Sequence, residues 1–544
     1  MVVTAILLLV FILLLPYLDC RKPKGFPPGP RWWPILGCAL EMTRIRREVK
    51  YMYKICLNLR DRYGPIVGLK IGKTRVIVAN DLQSMQAILV NEDCDGRPAG
   101  ILQKLRTSGV RRGIIMTDKQ PWAEQRRFVT RHLREFGFSR TGMAALVEDE
   151  ARELLEHLKK LLQDIGKSPK TSNKDNLNKL ELHDKFSAVE DETLKHELRT
   201  AIKAEEVQRV SESREMIIEM VHIFDLNVLN SIWRMIVGKR FEIGDKKLER
   251  VQRILTKTLT EMDMLGSLFS YFPLLRFIIP ETSGYKSFAE GHKELWDFVE
   301  EQMQYYKKTL DPNAPRGLMD VYLTALSSEN RSDSFNESQL VAVCVDLFMA
   351  GTETTANSLT YAFLYLILFP RVQKKVQEEL DRVIGRDRLP TMADKPKLMY
   401  LQVVVLECLR LFIAYSFSLP HRTLKDTTIL GYKVPKNTML MVNFNGVYDD
   451  KAYCDDFKNF RPERFFDKDG NIVTPDNYFP FGLGKRHCIG EMLARSNIFI
   501  IIATLLQNFS FSVVPGEPQP STQDFIFGAT PCPKPYKALI SLRV

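Results

Sequence analysis

The sequence lacks paired cysteines. Its nine cysteines stand singly along 544 residues, an odd number with no paired spacing. This argues against a disulfide framework and predicts a reducing compartment. It also argues against a structural zinc site, because zinc is usually held by about four ligands.

Nucleotide and nucleic-acid motifs are missing as well. The segment Gly68–Thr74 is one residue too short between its glycines for a phosphate loop. Gly482-x-Gly484 lacks the third glycine of a dinucleotide fingerprint, because position 487 is histidine. The net charge is +11, yet no block of consecutive basic residues stands out. The excess predicts an anionic membrane surface or an acidic protein partner, with ordinary solvated charge as the alternative. We expect no nucleic-acid partner.

Apolar residues fill the N-terminus from Val2 to Leu18. As a helix this run would reach roughly 25 Å, close to the hydrocarbon thickness of a bilayer. The alternative is a cleaved signal peptide, but basic residues do not precede the run and no small-residue cleavage site ends it. Basic residues that follow it predict that the rest of the chain is cytoplasmic. We therefore predict a single-pass anchor over residues 1–20 and a stiff, proline-rich hinge over residues 21–30.

A glycine-rich turn near the C-terminus surrounds one cysteine. From Phe481 to Gly490 the sequence reads Phe-Gly-Leu-Gly-Lys-Arg-His-Cys-Ile-Gly, and an apolar helix follows. Glycine lets the backbone approach a bulky group, and we expect Arg486 and the helix N-terminus to lower the pKa of the Cys488 thiol. A single thiolate in such a turn suits axial ligation of haem iron. The alternative is a small buried cysteine in a tight turn.

The complete pattern in this turn resembles the haem-binding loop of the cytochrome P450 family of haem-thiolate monooxygenases. The resemblance implies haem b as the cofactor and Cys488 as the axial ligand of its iron. It implies that the cofactor is also held by the other residues of the loop, which are Phe481, Gly482, Arg486 and Gly490.

A long apolar helix is predicted from the capping-box sequence Ser334–Glu337 to about Phe369, where Pro370 stops it. It is apolar on nearly all sides and should therefore be central and buried. Its middle carries the polar cluster Ala350-Gly-Thr-Glu-Thr-Thr355, which is costly inside a core. Hydroxyls bonded back to the helix would explain one threonine but not the whole cluster.

This cluster resembles the oxygen-activation groove of the same family. The resemblance implies that Gly351, beside Ala350, leaves room for a ligand on the iron. It also implies two catalytic residues, since Thr354 would donate a hydrogen bond to oxygen and pass on a proton through water, with Glu353 as its relay.

A shorter helix offers an anion clamp. Trp122 and Arg126 are four residues apart and hence share one face. An indole N–H beside a guanidinium matches a carboxylate, although such a helix alone would usually be an exposed salt-bridge helix. Together with the cysteine loop it resembles the family's C helix, whose Trp and Arg hold the haem propionates.

Other site residues rest on the resemblance alone. Arg97 is expected among the cofactor-binding residues. His421 matches the position that contacts a propionate in animal microsomal members, the alternative being a generic turn histidine. The resemblance places the cavity wall at 415–419 and at 525–528, and it implies a basic face for an acidic redox partner, formed in part by Arg127, Arg131 and Arg134.

A buried charge cluster is predicted around the Glu407-x-x-Arg410 pair, which needs further hydrogen bonds to be tolerable. Arg464 of the Pro-Glu-Arg-Phe sequence can supply the third member. These motifs resemble structural ones of the family, so we assign them no catalytic role.

The resemblance implies a mainly α fold with a small β portion and a single catalytic domain over residues 31–544. An atypical exposed insertion is expected at about 163–213, where the sequence is rich in Lys and Glu and poor in large apolar residues. The family members it is most similar to are animal microsomal ones of clan 2, and among them an insect member of family 303.

The implied function is insertion of one oxygen atom from O2 into a lipophilic small molecule that is steroid-like, fatty-acid-like or terpenoid-like. Electrons would come from NADPH through a membrane-bound NADPH–cytochrome P450 reductase, with cytochrome b5 as a further partner, at the endoplasmic reticulum membrane. One alternative is a haem-thiolate isomerase or dehydratase that does not use O2, and the Glu353–Thr354 pair argues against it. The other is a non-catalytic haem-binding membrane protein, and the complete set of motifs argues against that.

Overall fold

The computed structural model describes residues 18–135, 140–167, 215–242, 244–260, 267–449, 456–528 and 530–543. These residues are predominantly helical with small sheets, which confirms the predicted mainly α fold with a small β portion. The α-helices are, in chain order, α1 (Ala39–Val49), α2 (Met52–Tyr63), α3 (Leu82–Leu89), α4 (Ile101–Leu105), α5 (Lys119–Leu133), α6 (Arg140–Lys167), α7 (Asp225–Val237), α8 (Lys246–Thr260), α9 (Leu268–Tyr271), α10 (Leu275–Ile278), α11 (Tyr285–Lys308), α12 (Leu318–Leu326), α13 (Glu337–Leu368), α14 (Pro370–Val383), α15 (Met399–Ile413), α16 (Phe444–Tyr448) and α17 (Glu491–Asn508). The strands are β1 (Ile66–Ile71), β2 (Thr74–Ala79), β3 (Glu215–Glu219), β4 (His421–Arg422), β5 (Thr427–Ile429), β6 (Tyr432–Val434), β7 (Met439–Val442), β8 (Phe509–Ser512), β9 (Phe525–Phe527), β10 (Pro531–Pro533) and β11 (Lys537–Leu542).

The largest of these sheets has the strand order β1-β2-β7-β4. β1 and β2 form an antiparallel hairpin that turns at Gly72, whose φ of +57° favours glycine. β7 runs parallel to β2, and β4 is antiparallel to β7. Bridges from Asp95 and Gly96 to Arg422 extend this edge. The sheet thereby brings the segment around Arg97 next to His421.

Helix α13 lies at the centre of the molecule and contacts α7, α11, α15 and α17. Its side chains are mostly apolar and buried. It ends at Leu368, one residue before the predicted end, because Pro370 begins α14. The predicted capping box at Ser334 is wrong. Asn336 caps the helix, accepting a hydrogen bond from the Gln339 N–H at 2.9 Å, while the Ser334 hydroxyl bonds Glu124 instead.

The predicted charge cluster around Glu407 is confirmed. Arg410 forms a two-pronged ion pair with Glu407 at 2.7 and 2.8 Å, and Arg464 Nε donates to the same carboxylate at 3.1 Å. Arg410 also donates to the carbonyl oxygens of Phe457 at 2.6 Å and Asn459 at 3.3 Å. Glu407 is fully buried and Arg410 is 3% exposed. We call Glu407, Arg410 and Arg464 the Glu407 brace.

Two predicted segments fall mainly outside the described residues. The anchor predicted over residues 1–20 does so except for residues 18–20, and most of the insertion at 163–213 does so beyond the end of α6. Of the helices that the structure describes, none combines the length and the apolar character needed to cross a bilayer. The anchor therefore stays a prediction.

Candidate active site

The cysteine loop is held by one close backbone contact. A Cβ at Gly484 would lie 2.0 Å from the carbonyl oxygen of Leu89 on α3, and its φ is +73°, so glycine is required there on both counts. The Cys488 N–H donates to Phe481 O at 3.0 Å, which closes the turn. Helix α17 then begins at Glu491, three residues after the cysteine, rather than at the cysteine itself.

The Cys488 side chain is accessible, although its thiol is largely surrounded by protein. The backbone N–H groups of Gly490 and Glu491 hydrogen-bond its sulfur and favour the thiolate, as predicted. The predicted direction of its pKa is nonetheless wrong, because burial raises the pKa and outweighs these N–H groups. The cation that acts on the sulfur is Arg126, whereas the sequence indicated Arg486.

Two arginines and a tryptophan meet beside this loop. Arg126 Nη2 donates to His487 O at 2.5 Å, which joins α5 to the loop. The Arg486 guanidinium lies over the Trp122 ring at 4.0 Å, and its Nε donates to Asp95 O at 3.0 Å. The indole Nε1 of Trp122 and Nη1 of Arg486 are buried without a hydrogen-bond partner. Such buried donors ordinarily have acceptors, so these two indicate a ligand that accepts hydrogen bonds.

Arg97, which lies in the segment beside β4, is the third arginine of this cluster. It is 3% exposed, and its guanidinium donates to the carbonyl oxygens of Ile115 at 3.1 Å, Leu419 at 3.2 Å and Pro420 at 3.1 Å. In the part of the chain that the structure describes, the side-chain hydrogen bonds of Arg126 and Arg486 also end on backbone carbonyls. We call Arg97, Arg126 and Arg486, with Trp122, the arginine cage.

The electrostatics of the arginine cage favour an anion. Burial lowers the pKa of Arg97 to about 9 and that of Arg486 to about 10. The carboxylates of Asp95 and Asp118 oppose both shifts, and neighbouring guanidiniums add to them. Burial also lowers the pKa of Arg126. Like charges held together away from water are destabilising unless an anion joins them. The cage therefore fits the two carboxylates of haem b, and the adjacent Cys488 sulfur fits its iron.

His421 lies next to the arginine cage and is 3% exposed. Its Nδ1 is 2.9 Å from the carbonyl oxygen of Cys94, so Nδ1 carries the proton and Nε2 is the free nitrogen. Burial and the charge of Arg97 keep the pKa of His421 well below its usual value. The predicted contact with a haem carboxylate would need a second proton on Nε2, which a nearby carboxylate would favour.

One stripe of the buried helix α13 is open. Ala350 is exposed, Leu347 and Thr354 are partly exposed, and the three share one face of the helix. The Thr354 hydroxyl donates to Ala350 O at 2.8 Å and must rotate to donate elsewhere. The prediction for Gly351 is wrong, because a Cβ there would lie 2.0 Å from Ile232 Cδ1. Its missing side chain makes room for α7, not for a ligand on the iron.

Glu353 points away from this stripe into a small cavity. The cavity offers about 30 Å³ of water-accessible volume, enough for about two water molecules. Glu353 Oε1 accepts a long hydrogen bond of 3.4 Å from Asn357, and its Oε2 is buried without a partner. Burial and the charge of Asp225 raise the pKa of Glu353 to about 8. We call this space the Glu353 cavity; it is lined among others by His222, Asp225, Gln252, Glu353, Asn357 and Cys532.

The sequence did not indicate this group of polar residues. His222 and Asp225 come from the turn before α7 and from its first residue, and Cys532 comes from β10. Only the packing of α7 and β10 against α13 brings them to Glu353. The spacing of His222 and Asp225, which form a hydrogen bond at 2.8 Å, is the one local signal that could have drawn attention to them.

Aromatic residues form a wall near the predicted cavity segments. Tyr415 lies 5.3 Å from Phe525 between ring centroids, which brings the two predicted segments together. Tyr51 stacks on Phe525 at 4.6 Å, and Tyr53 meets Tyr415 at 5.7 Å. The two tyrosines at the start of α2 were not predicted, because their sequence carries no motif.

Comparison with known proteins gives consistent matches. A family model described as cytochrome P450 matches residues 27–177 and 191–540, and the interruption falls within the predicted insertion. The chain is 36% identical over 530 residues to the probable cytochrome P450 303a1 of Drosophila melanogaster, covering 96% of this chain and 95% of that protein. It is 29% identical to the farnesoate epoxidase of Bombyx mori, covering 95% and 94%. It is 32% identical to cytochrome P450 2D3 of Rattus norvegicus, covering 98% and 96%.

Proposed function

The chain belongs to the cytochrome P450 family of haem-thiolate monooxygenases, and from that premise we propose that it oxygenates a lipophilic small molecule at the endoplasmic reticulum membrane. In this proposal the substrate is steroid-like, fatty-acid-like or terpenoid-like. Electrons from NADPH arrive through a membrane-bound reductase, with cytochrome b5 as a further donor.

The observation that carries the proposal is the arginine cage beside a lone cysteine. Three guanidiniums whose side chains bond only to carbonyls in the described contacts, with two unpartnered donors among them, match a ligand that bears more than one carboxylate. The Cys488 side chain is accessible next to this cage, and its sulfur accepts two backbone N–H groups. These features together support haem b as the resident cofactor.

Each part of the site has a distinct role in this proposal. Cys488 would be the axial ligand, and Arg97, Arg126, Arg486 and Trp122 would hold the haem carboxylates. Haem b, when bound, supplies the reductive activation of dioxygen. The Thr354 hydroxyl can rotate from Ala350 O and pass on a proton at Oγ1. Glu353 holds the next proton, and because it faces a different direction, water must join the two.

Apolar surroundings support a lipophilic substrate. The wall formed by Tyr51, Tyr53, Tyr415 and Phe525 offers aromatic faces. The similar protein from Bombyx mori is named a farnesoate epoxidase, so we include farnesoate among the terpenoid candidates. On the surface, Leu274, Phe277 and Ile278 of the α10 region are each more than 70% exposed, and their apolar side chains support contact with membrane lipid.

The ligand assignment is tested by replacing Cys488 with serine or alanine. We expect loss of the red-shifted absorbance band that thiolate ligation gives the reduced, carbon-monoxide-bound haem. Cys56→Ala, which alters a buried cysteine on α2, is the matched control and should keep the band. Survival of the band in Cys488→Ala would show that another group ligates the iron.

The reaction class is tested by turnover with purified reductase in vesicles. We expect product only when both O2 and NADPH are present, after sterols, fatty acids and terpenoids have been screened for binding spectra. Turnover without O2 would favour an isomerase or dehydratase over a monooxygenase. A haem band without any substrate-dependent NADPH consumption would favour a binding protein.

A further inference from the structure

The Glu353 cavity connects a buried acid with the protein surface. Its inner end is Glu353, whose Oε2 lacks a partner. Its outer end is His222, whose side chain is 56% exposed, and the imidazole Nδ1 is 2.8 Å from Asp225 Oδ2. All three line the same space, which has room for about two water molecules. The buried Glu353 carboxyl group is therefore joined to solvent by the His222–Asp225 pair and by a cavity large enough to hold water.

The local backbone fixes where this pair lies. His222 has a φ of +73°, in the left-handed region that histidine enters more readily than most residues. Asp225 N donates to His222 O at 3.3 Å, which closes a turn before α7. Asp225 is then the first residue of α7, where a carboxylate is stabilised by the helix N-terminus.

Few other titratable groups face this space. β10 contributes the Cys532 thiol, whose pKa burial raises to about 12, so it stays neutral at physiological pH. α8 contributes the neutral side chains of Gln252 and Thr256. From β3, the charge of Glu219 reaches His222 only. Of the groups that line the Glu353 cavity, His222, Asp225 and Glu353 are therefore the ones that can take part in proton transfer.

We propose that His222 and Asp225 form the solvent-side end of a proton-transfer path that leads to Glu353. Water in the Glu353 cavity transfers the proton between them. The proposal deepens the proposed function and rests on it. The His222 imidazolium releases a proton to a cavity water, that water gives a proton to the Glu353 carboxylate, and His222 takes a replacement from solvent. Asp225 holds the imidazole in place and favours its charged form.

The electrostatic interactions among His222, Asp225 and Glu353 support proton transfer from His222 to Glu353. The hydrogen bond to Asp225 raises the pKa of His222, so the imidazole holds a proton closer to neutrality. Burial raises the pKa of Glu353 to about 8, and the charged form of Glu353 is opposed by Asp225 and favoured by His222. Neutralising these two neighbours should therefore move the titration of Glu353 in opposite directions.

The first test measures the carboxyl stretching band of Glu353 by infrared spectroscopy across pH in the holoenzyme, with the band identified by its loss in Glu353→Gln. Asp225→Asn removes a negative charge, so the pKa of Glu353 should fall. His222→Asn removes a positive charge but tolerates the same backbone conformation, so that pKa should rise. His157→Gln on α6 is the control and should leave it unchanged. Equal or same-direction movements in Asp225→Asn and His222→Asn would overturn the proposal.

The second test measures product formed per NADPH consumed. His222→Asn should lower this ratio by up to about 10²-fold, the lower end of what a positioned proton donor contributes, while His157→Gln keeps it. The proposal would also be overturned if the pKa of Glu353 moved in opposite directions in the two variants while the ratio of product to NADPH stayed unchanged. That result would show that His222 and Asp225 lie near Glu353 but do not deliver protons to it. Failure of the proposed function would give a different result. The wild-type protein would then lack the absorbance band of the reduced, carbon-monoxide-bound haem, or its turnover would not require O2 and NADPH.

Discussion

The Glu407 brace and the arginine cage both bury guanidinium groups, but they differ in what faces those groups. In the brace, one fully buried carboxylate accepts from both Arg410 and Arg464. Arg410 also donates to the carbonyl oxygen of Phe457, and Arg464 also donates to the Asp456 carboxylate at 2.8 Å. In the cage, the hydrogen bonds of Arg97, Arg126 and Arg486 end on carbonyls.

This difference separates a structural cluster from a binding site. A buried charge that is paired and fully hydrogen-bonded stabilises one conformation. Buried cations whose described side-chain hydrogen bonds end on carbonyls, next to unpartnered donors such as Trp122 Nε1, keep their capacity to bind an anionic ligand. The brace should therefore matter for folding with or without haem, and the arginine cage should matter mainly for haem.

The largest effect is expected from breaking the brace. Glu407→Gln leaves the buried Arg410 guanidinium without its counter-charge, while Arg464 keeps its pair with Asp456. Removal of one partner of a buried pair costs about 3–5 kcal/mol. The thermal midpoint of unfolding should fall steeply in both the haem-free and the haem-loaded protein. Lys374→Ala removes an exposed pair with Glu378 at 3.9 Å and is the control, with little expected change. Equal midpoints for Glu407→Gln and Lys374→Ala would contradict the structural role.

A smaller and more selective effect is expected from the arginine cage. In the proposed site, Arg126→Gln removes one charged donor to a haem carboxylate, so we expect a loss of about 1.5–3 kcal/mol, or roughly 10- to 100-fold in haem affinity. The stability of the haem-free chain should hold or rise, because repulsion in the cage is relieved. Haem loss to an excess of a capturing protein measures the affinity. Arg127→Gln, one residue along on the exposed side of α5, should leave that affinity unchanged.

Local sequence spacing explains which parts could be predicted. The Glu407–Arg410 and Trp122–Arg126 pairs each lie on one helix, where residues three or four apart share a face. The end of α13 before Pro370 is likewise local. The assignment of Arg97 needed the family resemblance, because β4 brings its segment to the site from a distant part of the chain.

The failures have tertiary causes. Ser334 has the right spacing for a cap, but Glu124 competes for its hydroxyl, and Asn336 caps instead. Gly351 faces Ile232 because α7 packs against that side of α13. Burial, which a sequence shows poorly, reverses the expected pKa of Cys488. His222 reaches Glu353 only through packing of the turn before α7, so no motif could indicate it.

Exposed arginines form a third group of cations, besides the Glu407 brace and the arginine cage. Their replacement should have the smallest effect on stability. Arg127, Arg131 and Arg134 are exposed on α5, the helix that Arg126 joins to the cysteine loop. Water solvates such charges, so replacing all three with glutamine should change the free energy of unfolding by only about 0.5 kcal/mol. If this face binds an acidic reductase, the KM for reductase should rise several-fold at low salt, and the difference should fade as salt screens the contact.

The matched control replaces three exposed cations on α8, Arg250, Arg253 and Lys257, with glutamine. This changes the net charge by the same amount on a helix that packs against α11 and α13 instead of the cysteine loop. If only net charge mattered, both triple variants would raise the KM for reductase equally. A rise confined to the α5 variant would locate the partner beside the helix that Arg126 joins to the cysteine loop. Exposed cations would then mark a partner site on this surface, as buried cations are proposed to mark the haem site in the arginine cage, and salt dependence would separate the exposed case from the buried one.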